Sequence, residues 1–109
     1  MKTLILTIGM IFAAAQAFAL TCSFTTECFE SEACAEGAFT VDVNLPLHSV
    51  STDFGDLEVI AISKTPSLLT MLARGEGANY FLTNTNDGAR LSVHMDDGPM
   101  MVNYLGTCQ

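Results

Sequence analysis

From residue 36 onward the chain is cut at short, regular intervals by turn chemistry, and this punctuation constrains its fold more than any other feature. The apolar runs AFTVDVNL, LEVIAIS, SLLTMLA, ANYFLT, ARLSVHM and MMVNYLG alternate with NLPLH, DFGD, SKTPS, RGEG, NTNDG and DDGP. Gly, Pro, Asn and Asp supply the φ values and local hydrogen bonds that reverse a chain. Runs this short, rich in β-branched and aromatic residues, are strands. None has the 3.6-residue periodicity and caps of a helix, although residues 67–73 would also fit one helical turn. The expectation is an all-β domain, a small antiparallel meander of about 7–8 strands closed into a barrel or stacked as a sandwich.

The last hairpin can be registered from its side chains. If Asp96-Asp97-Gly98-Pro99 is a four-residue loop, Met95 faces Met100, Val93 faces Val102 and Leu91 faces Tyr104. The opposite face then pairs His94 with Met101, Ser92 with Asn103 and Arg90 with Leu105. One face is apolar and the other mixed, and a one-residue slip would destroy that sorting.

The four cysteines, Cys22, Cys28, Cys34 and Cys108, extend the same argument. Cys108 shares parity with Val102 and Tyr104, and Cys22 with Phe24, so both point inward. First and last strands are neighbours in a closed meander, which favours Cys22–Cys108. Six residues of extended strand span about 20 Å, beyond disulfide reach, so Cys28–Cys34 requires FESEA to reverse direction. Four cysteines allow three connectivities, and this one suits the geometry best.

Residues 1–19, MKTLILTIGMIFAAAQAFA, read as a signal peptide: Lys2 before an apolar stretch, then Ala17-Phe18-Ala19 as the cleavage pattern. Residues 20–109 form one domain, with no membrane insertion expected after cleavage. The expected location is periplasmic or secreted, an oxidising setting in which an even cysteine count forms disulfides.

The domain keeps Lys64, Arg74 and Arg90 against twelve carboxylates, 3 − 12 = −9. Such a charge repels nucleic acid and anionic lipid and suits a basic protein partner. Glu27, Glu30, Glu32 and Glu36, with Phe29 among them, form the candidate interaction loop. There is no G-x-S-x-G, H-E-x-x-H or Walker loop, and paired cysteines leave no thiol nucleophile, so no catalytic residues, enzyme activity or cofactor are expected. NTNDG lacks the ligand spacing of an EF-hand calcium loop and reads as a turn. In HMDDGPMM, His94 and Met101 share the mixed face and are candidate Cu(I) ligands, because soft thioether and imidazole donors suit that ion. Met71 would join them only if the fold brings it near.

The C-x5-C-x5-C start and the ending Tyr104-Leu105-Gly106-Thr107-Cys108 resemble short secreted proteins of Gram-negative bacteria. Asp87-Gly88-Ala89-Arg90-Leu91 is similar to the S-G-A-R-Y segment of the periplasmic inhibitors of C-type lysozyme, with Asp87 for the serine and Leu91 for the tyrosine. That resemblance implies an acidic binding barrel, and no inhibitory residue carries over. Two functions are therefore expected in order: a non-enzymatic protein-binding domain, for a basic partner such as a lysozyme-like enzyme; or copper handling through His94 and Met101.

Overall fold

The computed structural model describes residues 19–109; the proposed signal peptide, apart from Ala19, lies outside the described residues. Eight antiparallel strands follow one another as β1 (Ala19–Phe29), β2 (Ala35–Asn44), β3 (Ser49–Thr52), β4 (Gly55–Thr65), β5 (Leu68–Gly75), β6 (Ala78–Thr85), β7 (Gly88–Met95) and β8 (Met100–Cys108). Each pairs with the next and β8 pairs with β1, so the meander closes into a barrel. Because β3 is so short, β2 is paired on that side only over Val41–Asn44 and β4 only over Gly55–Glu58.

The β7–β8 register is the one its side chains demand, from Met95↔Met100 through Val93↔Val102 to Leu91↔Tyr104. Residues 67–73 belong to β5, apart from Ser67 in the turn before it. Leu69, Met71 and Ala73 point inward and are buried, an alternation of period two. β3 has only Val50 to mark its inner face, and it is held from both sides by β2 and β4.

Inward residues from all eight strands make one core, including Phe24, Val41, Val43, Val50, Met71, Leu82 and Leu91, with no buried polar or charged side chain among the described residues. Both disulfides form. Cys22, which is fully buried, joins β1 to β8, and Cys28–Cys34 spans the β1–β2 turn.

Two strands slip phase. β1 carries a bulge between Phe24 and Thr26, and β4 one between Val59 and Ala61. An extra residue in one strand reverses the facing of everything beyond it. Beyond Thr25, Glu27 stands opposite Tyr104 and Phe29 opposite Val102, so Glu27 and Phe29 face inward and Cys28 faces out. At the same crossing Gly106 lies against β1: a Cβ there would run into the Ser23 carbonyl oxygen and come within 2.7 Å of Phe24 Cα.

Candidate functional site

An up-and-down barrel has two ends, and here they differ in chemistry. Residues 30–34, 53–54, 76–77 and 96–99 form the turns at one end and carry Glu30, Glu32, Asp53, Glu76, Asp96 and Asp97 with no lysine or arginine. Glu27, Glu36, Asp56, Glu58 and Arg74 lie within four residues of those turns. This end therefore holds ten carboxylates and one cation. Around the opposite turns, 45–48, 66–67 and 86–87, Asp42 and Asp87 balance Lys64 and Arg90. The net charge of the barrel belongs to one end. Arg74, its only cation, reaches Asp96 at 3.9 Å with both side chains exposed, an arrangement that neutralises little.

The acidic end opens into a cavity of about 350 Å³ lined by Phe39, Phe54, Glu76, Tyr80, Met95 and Tyr104, with Ala78 and Val93 behind them. Small eight-stranded barrels have an interior just wide enough for side chains or for one small ligand. Here the core fills the middle, and the short side chain of Ala78 helps leave room at the mouth. Phe39 stacks on Tyr104 with ring centroids 4.8 Å apart, Phe24 supports Tyr104 from below at 6.0 Å, and Phe54 tilts against Phe39 at 5.7 Å. Phe39, Tyr80 and Tyr104 are buried, whereas Phe54, on the β3–β4 turn, is 67% exposed.

Both phenols sense the nearby carboxylates. Burial, followed by the charge of Glu27, its hydrogen bond with the phenol and the neighbouring Tyr80, pushes Tyr104 up from 10.0 to about 12. Burial and then the charge of Glu76 raise Tyr80. Glu76 has φ 53°, and its carboxylate lies over the bare backbone of Gly55, where a Cβ would approach Oε1 to 2.9 Å.

The expected interaction loop divides in two. Glu30, Glu32 and Glu36 are exposed at the acidic end. Glu30, at φ 52°, is tied to β8: its N–H donates to the Met101 carbonyl at 3.0 Å, and its Oε1 accepts from the Met101 N–H at 3.3 Å. Glu27 instead lies against Tyr104 and accepts a hydrogen bond from its phenol, and Phe29 is partly buried against the core, so the loop does not present its aromatic as a surface anchor. The exposed aromatic at this end is Phe54. No motif singles out Phe39, Phe54, Glu76, Tyr80 or Tyr104 as a site. The phenylalanine of the turn TDFGD and the tyrosine of the Y-x-G-x-C ending are the signals that could have found it.

His94 and Met101 are direct cross-strand neighbours on the outer face. Met71 is buried inside the barrel, on the other side of the sheet, and joins no site with them. No cluster of three or more His, Cys, Asp or Glu positioned to hold a metal ion occurs among the described residues.

Fold and mouth together define a disulfide-stapled, eight-stranded antiparallel barrel with an aromatic cavity at its acidic end. Comparisons with protein-family models, curated proteins and solved structures found no match for this chain.

Proposed function

We propose that this chain is an exported, non-enzymatic binding domain that recognises a basic protein through the acidic end of its barrel. The observation that carries the reading is the segregation of charge, ten carboxylates and one cation at one end against two of each at the other. A charge spread evenly over the surface would serve solubility equally well. Concentrating it around one aromatic mouth creates a directional field that steers a cationic surface to that end. A lysozyme-like enzyme is the sharpest form of such a partner.

Two disulfides are compatible with an oxidising compartment, and the leader-like residues 1–19 support export to the periplasm or beyond. The barrel's apolar side chains point inward while its outer wall carries Thr21, Ser23, Asp42, Ser51 and Thr70, interrupted by Ile60, Leu72 and Phe81. Membrane-spanning barrels have the reverse arrangement, an outward apolar band, so the pattern supports a barrel bathed in water. Copper handling has less support, because His94 and Met101 supply two donors and Met71 cannot be the third.

The test is capture from envelope and host-fluid extracts on the immobilised oxidised protein, with stepped salt elution. A basic protein retained at low salt and released at moderate salt is the expected result. Asp42→Asn/Asp87→Asn leaves retention unchanged, while Glu30→Gln/Glu32→Gln/Asp97→Asn weakens it. Retention that ignores salt, or that fails equally in both variants, refutes recognition by the acidic end.

A further inference from the structure

We infer that the aromatic mouth is a receptor for one organic cation on an apolar stem, an ammonium or guanidinium group carried by a short alkyl or aryl chain. The inference deepens the reading above and rests on it for its setting: there the cation is a lysine or arginine side chain of the basic partner, inserted into the barrel.

Four features of the mouth specify this chemistry. Its walls are aromatic: the stacked Phe39–Tyr104 pair, Tyr80 and Phe54 all line it. Aromatic faces attract cations through their quadrupoles, most strongly where water is excluded. Its fixed charges are all negative: Glu76 lines it, Glu27 stands against the lining Tyr104 and shares a hydrogen bond with its phenol, and no lysine or arginine lines it among the described residues. Both phenols are raised first by burial and then by these carboxylates, Glu76 beside Tyr80 and Glu27 beside Tyr104. Finally, Phe54 is left two-thirds exposed on a turn, an apolar cost that a ligand stem would remove by covering it.

Size and charge exclude the alternatives. A volume of about 350 Å³ is at the low end of the ~300–1,000 Å³ typical of small-molecule sites. It admits one side-chain-sized group and is too small for a long acyl chain or an oligosaccharide. A carboxylate or phosphate would face Glu27 and Glu76 with no compensating cation. A neutral apolar guest would gain the walls and forgo the charge.

The experiment titrates the ¹⁵N-labelled protein, recovered from an exporting host with both disulfides formed, with n-butylammonium and n-butylguanidinium. n-Pentanol and pentanoate serve as neutral and anionic matches. Saturable shifts of the Phe39, Ala78, Tyr80, Val93 and Tyr104 amides are expected with both cations, roughly tenfold weaker with pentanol and absent with pentanoate. Glu27→Gln/Glu76→Gln weakens the cations roughly tenfold without changing pentanol; the introduced side-chain amide beside Tyr104 keeps an acceptor for its hydroxyl. Ala78→Leu fills the cavity and abolishes the shifts with every charge intact. Cavity amides that do not respond to the cations, or respond equally to pentanol, overturn the inference.

Poly-lysine then separates the sources of the cation. If it moves the cavity amides and butylammonium displaces it, the guest is a partner's side chain. Salt-sensitive poly-lysine binding that leaves those amides unmoved overturns insertion while sparing recognition of a basic partner. If poly-lysine does not bind but butylammonium shifts the cavity, the partner reading fails and the cavity is a site for a free organic cation.

Discussion

The two disulfides close very different loops, so removing them one at a time should produce a predictable order of damage. Cys22–Cys108 spans a sequence separation of 86 and Cys28–Cys34 one of 6. On the chain-entropy account the long closure stabilises by about 4.6 kcal/mol and the short one by about 2.2 kcal/mol. Packing widens the gap. Cys22 is fully buried in the core, so its truncation to alanine adds roughly 1 kcal/mol for the lost sulfur contacts, whereas Cys34 is exposed and adds nothing comparable. Against a total of about 5–15 kcal/mol for a domain, Cys28→Ala/Cys34→Ala should fold and melt roughly 10–20 °C lower. Cys22→Ala/Cys108→Ala should lose about twice as much and sit near the edge of folding. Equilibrium urea unfolding followed by circular dichroism measures both, and the denaturant slope should rise more in the long-loop variant because its unfolded chain expands further. Equal losses, or a larger loss from the short loop, would refute the claim that the long staple acts by restraining the unfolded chain.

Gly106→Ala places a methyl group against the Ser23 and Phe24 backbone and should cost at least about 1–3 kcal/mol, because backbone atoms of two paired strands have to separate; a thermal melt unchanged from wild type would contradict that approach. Tyr104 contributes to alkaline stability with a definite sign. Its folded pKa, about 12, lies above its ordinary 10.0, so its contribution is intact below pH 10 and is lost as pH rises through 12, a fall on the order of 2 kcal/mol that denaturant melts across this window would register. Glu27→Gln removes a carboxylate beside that phenol, and the ultraviolet titration of Tyr104 should move to lower pH; an unmoved titration would mean that burial alone holds the proton.

Those parts of the molecule that rest on alternation are readable from the sequence. The β7–β8 register follows from sorting Met95, Val93 and Leu91 against Met100, Val102 and Tyr104, since only one register keeps a whole face apolar. The cysteine pairing follows from parity and reach. β3 is not readable, because Ser-Val-Ser-Thr offers a single apolar side chain and owes its strand to its two neighbours. The mouth is hidden for a different reason. Phe39, Phe54, Tyr80 and Tyr104 come from β2, the β3–β4 turn, β6 and β8, and only barrel closure brings them together. The acidic cluster is visible as composition, but its gathering at one end depends on which turns share that end.

Thr25 illustrates how much a single inserted residue can decide. Along β1 the inward positions are 22, 24, 27 and 29, and along β4 they are 57, 59, 62 and 64, the same spacing of two, three and two in the two longest strands. The extra residue acts as a half-period delay, so that each strand keeps one phase along its first part and the opposite phase along the rest. Without the delay in β1, Thr26 and Cys28 would occupy the inner face. Glu27 would then point to solvent, and Cys28 would be turned away from Cys34. A frame slip of one residue thus sets a carboxylate against Tyr104 and at the same time frees the sulfur that staples the rim.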